Sequence, residues 1–451
     1  MTPTQTSKMQ AERENDNPTV EDEVIQDEEI AEIVDDDGMG EPMDDDDMDE
    51  DETMELGEEE LGDNSIGSSS VHEAQKSVFA LHAHPAFPNP PLAVSGGEDD
   101  LAYIFAPLPE ESGAAINGDN WAPIKLDGHS DSVVAVEFSH DGEMVATAGM
   151  DGKVRVWKRT SSGEDFTGWA PLAELDAGSE VQWLHWHPRG PVVAAGCEDS
   201  NVWLWQLPSG DVMTVLTGHT MPVTAGVFPP PLGRQLLTTS LDSTLILWNP
   251  SASAPMFKLG VFHSSTEMAD PAEHGITALA VSPNGSLAAV GSASGKVKLV
   301  SLPKGEIVGS LEGHTEGESI EALAFVDVLG GAGGGKGVVL VSGGTDGKGF
   351  VWDCATGRVR AELQHDEPIT SLAVHPAPNV HLVTSGSADR TLKTWDVRNG
   401  SLIGHHKGHA GVINGVVVTP ALAGEPSPAG LPASQLIMSA GDEGVSLMWR
   451  V

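Results

Sequence analysis

The sequence contains very little cysteine and few basic residues, and both shortages exclude classes of protein. Only Cys197 and Cys354 occur among 451 residues, which excludes a disulfide framework and a four-cysteine metal site. The 23 Lys and Arg residues are outnumbered by 68 Asp and Glu residues, and the net charge is −45. Because phosphate backbones are bound by clustered Lys and Arg, this charge argues against nucleic acid as a direct partner.

Long apolar runs are also missing. No stretch approaches the roughly 18 consecutive apolar residues of a membrane-spanning helix, and the first residues lack the apolar run of a cleavable signal peptide. We therefore expect a soluble protein with no membrane partner, located in the cytoplasm with the nucleus as a second compartment. We also expect it to act as a monomer.

The negative charge is concentrated at the N-terminus. Residues 1–63 contain 27 acidic and 2 basic residues, and no aromatic residue precedes Phe79. Such a segment cannot bury enough apolar surface to offset the entropy lost on folding. We predict that residues 1–65 form a disordered acidic tail. Its two short apolar islands, residues 24–25 and 30–34, are either spacing in a solvated tail or a linear motif that docks on a partner.

A short motif returns along the rest of the chain. In its clearest copy, residues 147–157, a strand-like run meets an Asp-Gly turn and returns to Trp157, which predicts a tight antiparallel hairpin. Eight copies occur at intervals of 43 to 54 residues, a period typical of four-stranded propeller blades. The paired turn and aromatic positions are Asp99 and Phe105, Asp151 and Trp157, Asp199 and Trp205, Asp242 and Trp248, Ser294 and Val300, Asp346 and Trp352, Asp389 and Trp395, and Glu443 and Trp449.

Histidines precede several of these units and predict a hydrogen-bond network in each blade. A Gly-His pair stands before four units, and His365 stands alone before a fifth. We expect each His to bind the turn carboxylate and each Trp to extend the chain of bonds, since such networks are strongest when every member is satisfied. The predicted network comprises His129, Asp151, Trp157, Asp199, Trp205, His219, Asp242, Trp248, His314, Asp346, Trp352, Asp389, Trp395, His409 and Trp449.

The repeat count predicts an all-β fold, an eight-bladed β-propeller over residues 66–451. The last unit ends on its third strand, so we expect residues 66–74 to supply the fourth strand and close the ring. Two long loops, residues 329–337 and 419–435, join first and second strands and should project from the same rim.

No arrangement of residues predicts an enzyme. The Gly-rich stretch 329–337 resembles a phosphate-binding loop, but Gly337 stands where Ser or Thr must bind magnesium. The alternating pairs His82 with His84 and His185 with His187 lack the Cys or carboxylate set of a tetrahedral metal site. The turn aspartates recur once per unit, as a structural network requires. We predict no catalytic residue, no metal and no cofactor.

The repeated order of Gly-His, Asp and Trp, with literal Trp-Asp at residues 352–353 and 395–396, resembles the WD-repeat family. Other segments are similar to one subfamily, which includes angio-associated migratory cell protein and the fungal assembly factor that escorts newly made ribosomal protein L-ten. These segments are residues 28–30, 96–100, 138–141, 186–192 and 282–302.

The resemblance implies a dedicated, non-catalytic chaperone. It would hold a newly made basic ribosomal protein of the large subunit, by its N-terminal part, and aid its assembly. Two alternatives stay open: a histone-binding propeller, which would typically carry a long N-terminal helix, and a scaffold for signalling or cell migration, which predicts an extra interaction domain.

Acidic residues that precede the turn Asp or enter the first strand should cluster on one face around the channel mouth. We predict that a basic partner segment lies there, and that Trp183 either packs in the core or offers its ring for a cation–π contact. The predicted binding residues are Glu98, Asp100, Asp131, Glu180, Trp183, Glu198, Glu316, Glu318, Asp366 and Glu367.

Overall fold

The chain folds into eight four-stranded antiparallel sheets, so the prediction of an eight-bladed propeller is confirmed. The computed structural model describes residues 62–108, 122–163, 165–252, 254–262, 274–331, 337–421 and 427–451. The predicted acidic tail lies outside the described residues as far as residue 61. Each blade uses four strands that are consecutive in the chain, except the last, which also uses the first strand.

The strands run from the channel to the outside of each blade in the order first, second, third and fourth. Strand β1 covers Gly67–Ser69. Blades 1 and 2 contain β2 (Val78–Ala83), β3 (Ala93–Gly97), β4 (Ala102–Phe105), β5 (Ile124–Leu126), β6 (Val133–Phe138), β7 (Met144–Gly149), β8 (Lys153–Arg159) and β9 (Trp169–Asp176). Blades 3 and 4 contain β10 (Val181–Trp186), β11 (Val192–Cys197), β12 (Asn201–Gln206), β13 (Asp211–Thr217), β14 (Val223–Val227), β15 (Leu236–Ser240), β16 (Thr244–Asn249) and β17 (Ala254–Gly260).

The second half of the ring repeats this pattern. Blades 5 and 6 contain β18 (Ile276–Val281), β19 (Leu287–Ser292), β20 (Val297–Ser301), β21 (Glu306–Leu311), β22 (Ile320–Asp327), β23 (Val338–Gly344), β24 (Lys348–Asp353) and β25 (Arg358–Gln364). Blades 7 and 8 contain β26 (Ile369–Val374), β27 (Leu382–Ser387), β28 (Thr391–Asp396), β29 (Ser401–Lys407), β30 (Ile413–Pro420), β31 (Gln435–Gly441) and β32 (Ser446–Arg450).

The core lies between adjacent blades. Second strands such as β7, Met-Val-Ala-Thr-Ala-Gly, are buried along their whole length, which explains their small and β-branched residues. The third-strand tryptophans fill the gaps between blades: Trp205 packs with residues of blades 2 and 3, and Trp248 with residues of blades 3 and 4. The first strand of each blade contacts the first strand of the next, from β2 through β30 and back to β2, so the ring is closed.

The two ends of the described chain meet in blade 8. Strand β1 pairs antiparallel with β32, and Ser68 lies opposite Leu447. Ordered contacts begin before the predicted tail boundary at residue 65, because Asn64 binds the backbone of Lys407 and the side chain of Trp449. Its backbone N–H donates to Lys407 O at 3.1 Å, and its Oδ1 accepts from Lys407 N at 2.8 Å and from Trp449 Nε1 at 3.0 Å.

Candidate protein-binding face

Blades 6 and 7 form the complete predicted network. In blade 7, Trp395 Nε1 donates to Ser385 Oγ at 2.9 Å, and Ser385 Oγ lies 2.7 Å from His365 Nε2. His365 Nδ1 then lies 2.7 Å from Asp389 Oδ2. A carboxylate only accepts, so Nδ1 of His365 carries a proton and donates it to Asp389 in this hydrogen bond.

Two other blades modify the network. In blade 4, Thr238 takes the place of the serine and binds both His219 and Trp248 at 2.8 Å, while Thr244 stands between His219 and Asp242. In blade 8, Trp449 donates to Asn64 instead of the strand hydroxyl.

Blade 1 has a network that was not predicted from the sequence. His72 lies 2.9 Å from Asp99 and 2.8 Å from Ser95, and the ring of Tyr103 meets it edge-on with centroids 5.0 Å apart. His72 lacks a preceding Gly and stands six residues before β2, whereas His129 stands four residues before β6. Because of this longer spacing, His72 does not match the repeat pattern of the other units.

Three predicted network members were placed wrongly, and one of them is Trp205, whose blade has Ala195 at the position that Ser385 occupies in blade 7. Trp157 Nε1 is buried and has no hydrogen-bond partner among the described residues, although His129 does bind Thr147 at 2.9 Å and Asp151 at 3.0 Å. Asp199 has no histidine to bind, because Ala177 and Gly178 occupy that loop. It instead accepts from the backbone and side chain of Asn201 at 3.1 and 2.8 Å and shapes its own turn.

The network is structural, and its electrostatics show why. Burial lowers the pKa of His72, His129 and His314 from the ordinary value, so these rings are neutral at pH 7. Burial alone would raise the pKa of Asp151, but hydrogen bonds from His129 and from the backbone of Ser130 outweigh it, and the pKa is lowered. A carboxylate held ionised by fixed donors is unsuited to proton transfer at neutral pH.

The loops that hold these histidines and aspartates form one rim of the ring, which we call the acidic rim. It comprises the loops before each first strand and the turns between second and third strands. Every one of those turns except the blade 5 turn carries a carboxylate. The basic residues in the described loops and turns of this rim are Lys76, Lys296 and Arg390.

The opposite rim has a different charge balance. It comprises the loops between first and second strands and between third and fourth strands. Its described loops carry the acidic residues Asp141, Glu143 and Asp165 and the basic residues Arg189, Arg234, Lys304 and Arg398. The excess of negative charge in the described blades is therefore concentrated on the acidic rim.

The structure brings the predicted acidic binding residues to the acidic rim. Seven are exposed and two, Glu98 and Asp100, are half-buried. Several are engaged within the ring: Glu98 accepts from Lys76 Nζ at 3.1 Å, and Glu318 accepts from Thr345 Oγ1 at 2.7 Å. Most of the set stays available to a partner. The exposed residues are Asp131, Glu180, Glu198, Glu316, Glu318, Asp366 and Glu367.

One further exposed carboxylate, Glu321, lies close to Glu316 and Glu318 in the chain and was not predicted from the sequence. It is the second residue of β22, where the pairing with β23 shifts register at a β-bulge. The same shift occurs between the first and second strands of every blade. A bulge redirects the side chain of its extra residue, and no alternation rule would have predicted that from the sequence.

The prediction that Trp183 could offer its ring to a cation was wrong. Trp183 is only 9% exposed and belongs to the core between blades 3 and 4. Its ring covers Gly196 and Gly226, where an added Cβ would lie 2.1 Å from Nε1 and 2.0 Å from Cη2. The large ring on one blade is accommodated by glycine on the next.

Replacing Gly226 with alanine tests this packing. Because the indole is enclosed and cannot move aside, we expect Gly226→Ala to lower the free energy of unfolding by about 2 kcal/mol. Gly415→Ala on β30 is the matched control, since its nearest neighbour would lie 3.9 Å away. Urea titrations of both variants give the comparison. Equal stabilities would contradict the packing described for Trp183.

Within the described ranges, no group of three or more His, Cys, Asp or Glu side chains is placed to hold a metal ion. The same part of the chain contains no helix long and apolar enough to cross a bilayer.

Comparison with known proteins agrees with the repeat structure. The model of the WD domain, G-beta repeat, matches residues 123–158, 169–206 and 210–249. The model of the Nucleolar protein 10-like N-terminal domain matches residues 230–445. Human angio-associated migratory cell protein is 31% identical over 357 residues, which cover 76% of this chain and 73% of the human protein. The chain belongs to the WD-repeat family that includes angio-associated migratory cell protein.

The family extends to fungal assembly factors. Ribosome assembly protein SQT1 of Saccharomyces cerevisiae is 26% identical over 399 residues, which cover 83% of this chain and 84% of the yeast protein. The crystal structure of Chaetomium thermophilum Sqt1 bound to the N-terminus of the ribosomal protein L10 matches with a TM-score of 0.70 and 26% identity. That match covers 86% of this chain and all of the fungal chain.

Proposed function

We propose that the chain is a non-catalytic chaperone that holds a newly made, basic large-subunit ribosomal protein of the L10 type and aids its assembly. The observation that carries this proposal is the separation of charge between the two rims. Carboxylates gathered on one rim repel one another, and a Lys- and Arg-rich segment laid across them neutralises that repulsion. The Chaetomium relative, crystallised with the N-terminus of L10, supports the same class of partner.

The chemistry proposed is binding, without catalysis. The turn carboxylates of blades 1, 2, 6, 7 and 8 are bound by histidines of the network, and the exposed acidic residues are spread over several blades. Ribosomal proteins are made in the cytoplasm, so we place the encounter there. Charges at the rim should set the association rate and its salt dependence, because the Debye length is about 10 Å at 0.1 M salt.

Charge reversal on blade 3 tests the binding face. We expect Glu180→Lys with Glu198→Lys to weaken binding of a labelled peptide from the L10 N-terminus by at least about tenfold at low salt. The loss should shrink at high salt, because both side chains are exposed. Fluorescence anisotropy at two ionic strengths measures both effects.

The matched control reverses two carboxylates at the opposite rim, Asp211→Lys with Glu306→Lys. Both residues are exposed and begin fourth strands. An equal loss in the control would show that only net charge attracts the peptide, and would contradict a defined site on the acidic rim. Unchanged affinity in the blade 3 variant would contradict it as well.

A further inference from the structure

A cavity of about 610 Å³ opens between blades 3 and 4 on the rim opposite the acidic rim. The loops 187–191 and 228–235, which join first to second strands, form two of its sides. The outer strands β13 and β17 form another side. This volume lies within the range of roughly 300–1,000 Å³ typical of ligand pockets. The cavity is separate from the candidate binding face and was not anticipated from the sequence.

The wall of the cavity combines apolar side chains, some of them exposed, with the polar side chains of His187, Gln206, Gln235, Asn249 and Ser251. Met213 on β13 is 45% exposed and Met256 on β17 is 56% exposed. The buried side chains of Leu204 and Phe228 complete the apolar lining. Leu232, at 36% exposure, stands on the adjoining loop. Methionine adapts its shape to different partners, and exposed apolar groups gathered at one place mark interaction sites.

Two arginines stand on the touching loops beside this apolar wall. Arg189 and Arg234 are both exposed, and neither forms an ion pair with a carboxylate among the described residues. Their loops are in contact, because an added Cβ on Gly233 would lie 2.5 Å from Pro188 Cγ. Arg155, Arg159, Arg360 and Arg398, by contrast, each pair with a carboxylate.

We propose that this groove binds an acidic, aliphatic peptide segment of a partner protein. Leu, Ile or Val side chains of the segment enter the apolar cavity, and its Asp or Glu side chains pair with Arg189 and Arg234. Guanidinium groups suit carboxylates because they can donate two parallel hydrogen bonds. The net charge of the whole chain, −45, disfavours an acidic ligand in general. Acidic peptide binding at this place therefore requires the local arginines and the apolar cavity together.

The test uses the full-length chain and a fluorescein-labelled peptide of four Glu-Leu repeats. We expect saturable binding that weakens by at least about tenfold in Arg189→Glu with Arg234→Glu, since both ion pairs become repulsive. Met256→Gln should also weaken it, because the apolar contact is lost. A peptide of four Glu-Ser repeats should not bind, since it offers carboxylates without aliphatic side chains.

Matched variants separate the groove from general surface effects. Arg358→Glu changes another exposed arginine. Val308→Gln changes an apolar side chain on blade 5 whose exposed fraction, 55%, matches the 56% of Met256. Both should bind the peptide like the natural chain. The proposal is overturned if no binding occurs up to roughly 1 mM peptide, or if the Arg189 and Arg234 variant binds as well as Arg358→Glu. Self-association that the double variant abolishes, measured by light scattering, would assign the groove to a second copy and also overturn the proposal.

Discussion

A chain shortened to begin at Gln75 should lose cooperative unfolding, whereas a chain that begins at Gly62 should melt within about 2 °C of the full chain. The first truncation removes β1, which leaves β32 as an exposed sheet edge. It also removes His72, which binds Asp99 and Ser95 in blade 1. Open edges promote pairing between molecules, so we expect aggregation as well. Differential scanning calorimetry and size-exclusion chromatography measure the two effects.

Two point variants distinguish the effect of losing β1 from the effect of losing His72. We expect His72→Ala to lower the free energy of unfolding by about 2 kcal/mol, because the buried Ser95 loses its partner and Asp99 loses one of its donors. His274→Ala in blade 5 should cost much less, since His274 contacts Ser294 at 3.4 Å and no carboxylate among the described residues. A soluble, cooperatively melting chain that begins at Gln75 would contradict the closure of the ring by β1.

Lowering the pH from 7 to 5 should destabilise the propeller through its buried histidines. Burial lowers the pKa of His375 and of His406 to about 4. The two are joined through Thr384 and Thr394 by hydrogen bonds of 2.8, 2.8 and 3.0 Å. In the unfolded chain a histidine has a pKa near 6.5. The unfolded state therefore binds more protons between pH 4 and 6.5, and stability falls as pH falls through that window.

Each such histidine contributes a loss of about 2 kcal/mol between pH 7 and pH 5. His84 in blade 1, whose pKa burial also lowers to about 4, adds a third group. The turn carboxylates Asp151 and Asp346 do not interfere. Burial alone would raise their pKa, but the hydrogen bonds that they accept lower it below the ordinary value, so they gain protons only well below pH 5.

Urea unfolding at pH 7 and pH 5 measures the effect. His406→Gln should be less stable at pH 7 but should show a smaller change between the two pH values, since one titrating group is gone. His140→Gln, which alters an exposed histidine, is the control and should keep the full change. A pH change as large in His406→Gln as in the natural chain would contradict the assignment.

The blade pattern could be predicted from the sequence because it repeats local chemistry. An Asp turn, a following strand and a closing aromatic residue occupy a few neighbouring positions in each unit, and local signals of that kind are readable without coordinates. The number of copies then gave the number of blades. The carboxylates of the acidic rim followed from the same register, since they lie next to the turn Asp or the first strand.

Features that depend on contacts between blades could not be predicted from the sequence. Trp183 stands where other units have small residues, and its burial depends on Gly196 and on Gly226 of the next blade. His72 required knowledge that β1 leads directly into blade 1. The groove beside Arg189 and Arg234 joins loops of two blades, and nothing in either loop alone indicates it.

The meeting of Asn64 with Trp449 also affects how the protein forms during synthesis. These residues are 385 positions apart in the chain, so the contact between them closes a loop that spans nearly the whole propeller. Earlier blades have their four strands in sequence and can pair as they leave the ribosome, whereas blade 8 must wait for β32. Until then β1 has no partner strand and the first and last blades cannot pack together. A nascent chain that stops before β32 should therefore display unpaired edges, and quality-control factors can recognise such edges.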